Sequence, residues 1–301
     1  NLGPLSAIPV MEGKAAILKS FAGVDAFPIC LDTQDTEEII KVVKQIAPVF
    51  GAVNLEDISA PRCFEIEERL RKELPIPVMH DDQWGTATVV LAGLMNALKV
   101  TDREDNKSIK IVVNGVGSAG VAISRLLLSS GFTAITFCDS KGIIHEGRDD
   151  LTKEKKELIT TSTATPREGV LADAVIGVDV FVGVSKAGAL TEEMVKTMNK
   201  DAIVFALANP IPEIMPDVAK SAGVAVIATG RSDFPNQLNN SLIFPGIFKG
   251  VLDNDIKQFD VTMFTRAALA LSSHVKNPTR DMILPTMFDK ELVSVIANSV
   301  K

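Results

Sequence analysis

The stretch IKIVVNGVGSAGVAISRLLLSSG, residues 109–131, decides the fold. It reads as strand, glycine turn and helix. Gly115, Gly117 and Gly120 stand in a G-x-G-x-x-G pattern, with Ser118 and Ala119 between the last two. Alone the pattern is weak, because glycines are common. Between an apolar strand and a helix it is strong. The first glycine permits the tight turn, the second lets backbone approach a pyrophosphate, and the third lets helix and strand pack closely. The helix start then offers free N–H groups and a positive dipole end to phosphates. Asp139 lies 24 positions beyond Gly115, closing the strand pattern AITFCD. A carboxylate there can accept hydrogen bonds from both hydroxyls of an adenosine ribose and repel a 2′-phosphate. That favours NAD over NADP. Lys141 weakens the preference, since it can meet such a phosphate.

Working outward, VDVFVGVS (178–185), AIVFALANP (202–210) and VAVIATG (224–230) are three more strand patterns at regular spacing, with helical patterns between them. Upstream, AFPICL (26–31), GAVNLED (51–57) and PVMHDD (77–82) read as strands. The first is followed by a helix pattern that Thr36 can cap, with apolar Ile39, Ile40, Val43 and Ile46 at helical spacing. CFEIEERLRKEL (63–74) is a second helix and GTATVVLAGLMNALKV (85–100) a long apolar third. Alternating strands and helices imply parallel βαβ units. The expected architecture is α/β: a doubly wound parallel-sheet Rossmann domain preceded by a smaller α/β substrate and metal domain. The polar stretch TDREDNKS (101–108) marks the expected boundary. Residues 1–100 then form the smaller domain, 101–250 the NAD-binding domain, and 251–301 a C-terminal helical segment.

The chain has 301 residues, enough for two cores, and a formal charge of −7. The acidic balance and lack of a basic stripe argue against nucleic-acid binding. No run reaches the roughly 18 apolar residues of a membrane span. The start NLGPLSAIPVMEGK lacks the basic-then-apolar order of a signal peptide. Three scattered cysteines suit a reducing cytosol, with Cys30 and Cys63 as core thiols. Tyrosine is absent altogether.

Acids cluster at two strand ends: Glu56 and Asp57 after AVNL, Asp81 and Asp82 after PVMH. Such pairs serve as loop starts and helix caps. If the two strands are neighbours, four carboxylates instead converge where α/β sheets bind ligands. Like charges so close raise one another's pKa unless a cation lies among them. An all-oxygen set suits a hard ion, Mg²⁺ or Mn²⁺. Lys14, in PVMEGKAAILK at the start of an expected helix, becomes a candidate base if a desolvated crevice lowers its pKa. Asn209, Asn239 and Asn240 follow or flank strand ends. They suit either Asx turns or an uncharged contact to a nicotinamide carboxamide or a substrate carboxylate. His80 either lines the crevice or packs. No Ser-His-Asp order or Cys-His pair marks a hydrolase nucleophile.

These segments resemble the NAD-dependent malic enzymes, especially the short bacterial type. The resemblance runs from about residue 1 to about residue 270. It rests on PVMEGKAAILK, DAFPICLDTQDTEEII, NLEDISAPRCFEIEERL, HDDQWGTATVVLAGL, NGVGSAG, CDSKGI, FALANPIPEIMPD and ATGRSDFPNQLNNSLIFPGIF. It implies that Glu56, Asp57 and Asp82 bind Mn²⁺ or Mg²⁺, and that Asp81 pairs with a catalytic Lys14. It also brings Asn209 and Asn240 to cofactor and substrate. The implied reaction is NAD-linked oxidative decarboxylation of malate to pyruvate and CO₂, in a homodimer or larger assembly. Three features depart from the family. Trp84 stands where short bacterial members usually carry histidine. The family draws a substrate-binding arginine and a tyrosine general acid from a region upstream of the matching segments. The last 30 residues carry no feature that the resemblance explains. Loss of a general acid typically costs about 10²–10⁴-fold, so these residues alone are expected to form the ketone yet tautomerise the enolate slowly. The alternatives are a dinucleotide-binding module without turnover and another α/β dehydrogenase, which would leave the acid pairs unexplained.

Overall fold

The computed structural model describes residues 3–103 and 105–301; Glu104, inside the expected boundary stretch, lies outside them. The chain opens with α1 (Pro4–Ile17), prolonged by a π-helical turn at Leu18–Ala22. Then come α2 (Thr36–Ile46), β1 (Val53–Leu55), α3 (Arg62–Glu73), β2 (Val78–His80) and α4 (Asp81–Val100). β1 and β2 are parallel neighbours, with Leu55 opposite His80. The apolar stripes of α2 (Ile39, Ile40, Val43) and α3 (Ile66, Leu70) are buried together against Leu55 and Val78.

Several local expectations need correction. Residues 26–31 form no strand. Phe27 and Ile29 are exposed, and Phe27 leans its ring on Phe50 at 5.9 Å. A short apolar run without a neighbouring strand has no ladder to join. Cys30 beside them is only half-buried, whereas Cys63 is fully buried. The cap of α2 is Asp35, not Thr36: its carboxylate accepts the Glu38 N–H at 2.9 Å. Lys14 lies in the last turn of α1, not at a helix start. The helix expected from Gly85 begins at Asp81, so Asp81 and Asp82 occupy its first turn instead of extending the strand. A helix N-terminus favours such carboxylates.

The second part contains β3 (Ile111–Asn114), α5 (Ser118–Ser129), β4 (Ile135–Asp139), β5 (Gly142–Ile143), α6 (Lys153–Thr161) and α7 (Leu171–Ala174). It continues with β6 (Val180–Gly183), α8 (Glu192–Lys196), β7 (Ile203–Ala206), α9 (Pro216–Ser221) and β8 (Val226–Thr229). Its sheet runs β5-β4-β3-β6-β7-β8, all parallel except the short β5. Successive strand residues serve opposite cores. Val113, Val182 and Phe205 face one cluster; Val112, Phe181 and Val204 face the other. A sheet covered on both faces gives strands that read as unbroken apolar runs. The order reverses between β3 and β6, and such switch points hold the ligand crevice of doubly wound sheets.

Three helices close the chain: α10 (Phe244–Asp253), α11 (Val261–His274) and α12 (Leu292–Ser299). The last one, which carried no motif, is structural: Ile296 is fully buried and packs against Gly246 of α10. The body of α4 lies against α5 and α11. Its buried Asn96 donates to the Ser272 and Ile283 carbonyls at 2.9 and 2.8 Å. One helix therefore has its acidic start beside the small sheet and its length against the large one. Among the described residues, no helix is long and apolar enough to cross a membrane.

Candidate active site

The glycine loop is built by backbone sterics. Gly115 has φ +103° and sits so close to Val184 that an added Cβ would lie 2.5 Å from its carbonyl oxygen. Gly120 packs on Gly115 itself, where a Cβ would meet the carbonyl oxygen at 1.8 Å. Gly117 faces open space, with nothing within 4 Å of a Cβ position. It precedes Ser118 and Ala119 in the first turn of α5, whose start has no side-chain cap. Open approach, uncapped N–H groups and the switch point together fit a dinucleotide pyrophosphate.

At the end of β4, Asp139 is already surrounded by donors. Its Oδ1 accepts the Lys141 N–H and Arg148 Nη1, both at 2.9 Å. Its Oδ2 accepts Arg148 Nη2 at 2.8 Å and Lys155 Nζ at 2.7 Å. Burial alone would raise this carboxyl, but the hydrogen bonds from Arg148 and Lys155 outweigh it and bring it down to about 2. The Lys141 ammonium turns instead to Asp150 at 2.8 Å. Arg148 and Lys155 were not foreseen, because surface cations at helix and loop positions have no distinctive pattern.

The acidic crevice is built by tertiary packing. The parallel register of β1 with β2 puts the two acid pairs side by side. Lys14 reaches in from α1, hydrogen-bonding Asp81 Oδ2 and lying 2.9 Å from Glu56 Oε2. Its Nζ sits 4.7 Å from the centroid of the buried Phe244 ring. Asp82 Oδ2 accepts the N–H of Asp57, whose φ is +56°. Gly85 leaves room for the Asp81 carboxylate and for Asn240 at once: a Cβ there would lie 1.8 Å from Asp81 Oδ1 and 3.0 Å from the Asn240 Cβ. Asn240 thus borders the Lys14–Asp81 pair. Asn239 spends its side-chain oxygen on the Ser241 N–H at 2.9 Å, a local turn cap. Asn209 is exposed after β7 and lies against Gly230 at the end of β8, 3.5 Å from its Cβ position.

The charge state of Lys14 differs from the sequence expectation. Burial lowers its pKa, but the charges and hydrogen bonds of Asp81 and Glu56 outweigh burial and hold it above the ordinary lysine value. Lys14 is therefore an ammonium as the crevice stands. Glu56 is raised, first by burial and then by the Asp81 and Asp82 charges. Asp81 is raised by burial despite Lys14. Asp82 feels the same burial penalty, yet the His80 hydrogen bond and charge bring it below its usual value.

Lys14 lies among three carboxyl groups, two of them raised by burial, and Asp81 Oδ1 is buried without a partner. An all-oxygen donor set of this kind fits a hard divalent cation. Among the described residues, no three ligating groups converge in a ready-formed shell, because Glu56 is turned to Lys14. The donor chemistry fits the ion.

A Rossmann sheet with an open phosphate loop, together with a lysine–carboxylate crevice, fits a dinucleotide-dependent oxidoreductase of α/β class. Two family models match the chain: "Malic enzyme, N-terminal domain" over residues 1–71 and "Malic enzyme, NAD binding domain" over residues 84–300. The chain is 52 % identical over 303 residues to the bifunctional malic/malolactic enzyme of Bacillus subtilis, covering 100 % of this chain and 74 % of that protein. It is 51 % identical over 302 residues to the NAD-dependent malic enzyme of Geobacillus stearothermophilus, covering 100 % of this chain and 63 % of that one. The solved NAD-dependent malic enzyme of Thermotoga maritima superposes with a TM-score of 0.96 at 44 % identity, over 100 % of this chain and 80 % of that chain. Names that specify NADP also occur among the relatives, at 44 % identity in one case. The chain belongs to the malic enzyme family.

Proposed function

We propose that this chain carries the cofactor site, the cation ligands and the base of an enzyme that oxidises malate to pyruvate and CO₂ with NAD. The observation that supports this best is the buried Lys14, clamped by Asp81 and Glu56 and bordered by Asn240. In this reading Glu56, Asp57 and Asp82 hold Mg²⁺ or Mn²⁺. The loop Gly115, Gly117, Ser118, Ala119 and Gly120 holds the pyrophosphate, Asp139 sits at the adenosine ribose, and Asn209 at the nicotinamide side. When bound, the cation supplies Lewis-acid polarisation and the nicotinamide supplies a hydride acceptor.

Lys14 takes the proton of the malate 2-hydroxyl, and for this it must first lose its own. Its two carboxylate partners prevent that while both face it. Glu56 is shared between Lys14 and the proposed cation ligand set, and burial opposes the ammonium. Asp81, fully buried, keeps the amine aimed into the crevice. Asn240 orients a substrate carboxylate with uncharged donors, while Asn239 shapes the turn that presents it. No tyrosine occurs in the 301 residues, so a phenol proton for the enolate carbon does not come from them. Asp139, paired with Arg148 and Lys155, favours the free ribose of NAD, although the same cations lessen the penalty for a 2′-phosphate.

The test is incubation with L-malate, NAD⁺ and Mn²⁺, following NADH and pyruvate separately. NADH formation abolished by Lys14→Ala and by Asp82→Ala supports the reading. NAD⁺ binding without NADH under any divalent cation leaves a nucleotide-binding module in its place.

A further inference from the structure

Beneath the crevice lies a buried polar chain that the proposed reaction does not use. Glu67, on the inward face of α3, is only 5 % exposed. Its Oε1 accepts the His80 backbone N–H at 3.0 Å. Its Oε2 accepts Gln83 Nε2 at 3.0 Å and Trp84 Nε1 at 3.2 Å. Burial pushes the Glu67 carboxyl up, and the three donors on it oppose that shift by favouring the ionised form. Gln83 Nε2 also lies 2.8 Å from His80 Nδ1. His80 Nε2 in turn lies 3.3 Å from Asp82 Oδ2, the oxygen that also accepts the Asp57 N–H.

With Glu67 ionised, these contacts select one set of hydrogen positions. A flipped Gln83 amide would set its oxygen against the Glu67 carboxylate, acceptor against acceptor. Glu67 therefore holds the Gln83 NH₂ between itself and His80. A donor at Nδ1 makes that nitrogen the acceptor and leaves the ring proton on Nε2. That N–H lies 3.3 Å from Asp82 Oδ2, off the line of a hydrogen bond, while the Asp57 N–H donates to the same oxygen at 2.8 Å. The indole of Trp84 completes the anchor: it stacks on Phe264 with centroids 4.8 Å apart and planes 7° from parallel, while its N–H occupies the third donor position on Glu67. Trp84 thus supplies an N–H donor to this carboxylate.

We propose that Glu67, Gln83 and His80 form a positioning relay that holds the His80 Nε2–H beside Asp82 Oδ2 and presets Asp82 as a cation ligand. Partners of this kind typically alter metal affinity by about 10–100-fold when removed. The inference rests on Asp82 being a cation ligand, and the experiment separates the two. Binding of Mn²⁺ to the substrate-free protein is read from the electron paramagnetic resonance signal of the free ion. The wild-type protein and Asp82→Ala test the ligand assignment itself. His80→Ala and Gln83→Met test the relay, and His80→Gln, which restores an N–H near the Nε2 position, tests rescue. The expected result is tight binding by wild type, none by Asp82→Ala, binding weakened about 10–100-fold in His80→Ala and Gln83→Met, and recovery in His80→Gln. Circular dichroism and thermal melting confirm that each variant is folded. A variant that fails to fold is replaced by Glu67→Gln, which leaves one of the three donors facing an NH₂ and is expected to weaken binding similarly. Wild-type binding unchanged in folded His80→Ala overturns the relay alone. No Mn²⁺ binding by wild type overturns the ligand assignment and the relay with it.

Discussion

The two halves of the site are made of different material. The glycine loop is a backbone structure: Gly120 rests on the Gly115 carbonyl, Gly115 rests on Val184, and no charged side chain is needed to hold them there. The acidic crevice is a side-chain structure. Lys14, Glu56, Asp81 and Asp82 come from α1, the end of β1 and the start of α4, and charge and hydrogen bonds hold them together. Their surroundings differ in the same way. The strands β3, β6, β7 and β8 are wholly buried. The small sheet has two strands of three residues each and borders a cavity of about 710 Å³ between α1 and α2. Leu5, Phe27 and Val49 stand exposed in this part of the chain. A fold fixed by backbone contact tolerates charge changes but not added atoms; a crevice fixed by charge does not tolerate charge changes.

That contrast can be broken by substitution. The largest effect is expected at Lys14. Lys14→Ala lowers malate turnover by about 10²–10⁴-fold, the usual contribution of a positioned base. It also leaves Asp81 and Glu56 without their cation, and breaking a buried pair in this way costs about 3–5 kcal/mol. Steady-state kinetics with urea unfolding measures both. Unchanged stability would show that the clamp is not the main support of the crevice.

Gly120→Ala is expected to cost about 1–3 kcal/mol or more, since the new methyl meets a backbone carbonyl that cannot rotate away. Gly117→Ala is the counterpart. It enters open space at φ −90°, so stability stays within about 0.5 kcal/mol while NAD affinity falls. Calorimetric melting and NAD titration of the pair test whether the middle glycine serves ligand approach and the third serves packing. Equal loss of stability in both would remove the distinction.

Asp139→Asn sharpens the electrostatic side. The carboxyl sits lower in the folded protein, at about 2, than in the unfolded chain. Its contribution is thus present above the unfolded value of about 4 and is lost as pH falls toward 2. The variant should lower stability at neutral pH and flatten the acid limb between those values, as read from melting temperatures across pH. An unchanged acid limb would contradict the pairing with Arg148 and Lys155. Asp35→Ala, which removes the α2 cap, costs about 1 kcal/mol without altering the site, as read from thermal melting and turnover.

What could be read beforehand follows the same division. The nucleotide sheet was legible because each requirement is local: an apolar run for a strand buried on both faces, and glycine where only glycine fits. The acid pairs were legible as pairs, but their meaning depended on the β1–β2 register, which spacing does not determine. The run 26–31 is apolar, yet it has no partner strand among the described residues, and apolarity alone does not set pairing. Glu67 was passed over among Glu65, Glu67 and Glu68, yet it follows Cys63 by four positions and shares the buried face of Cys63, Ile66 and Leu70. A glutamate on an apolar helix face was the available signal.

The sequence by itself determined the doubly wound nucleotide fold, the position of its phosphate loop and the residue types of the crevice, because these follow from local sterics and side-chain chemistry. Only the tertiary structure decided which carboxylates share Lys14 and that Lys14 stays charged. It also decided that Asp139 is covered by two cations and that Glu67 supports the start of α4. Each of these depends on charge at a distance of a few ångströms between segments far apart in the chain, and a linear pattern does not set such distances.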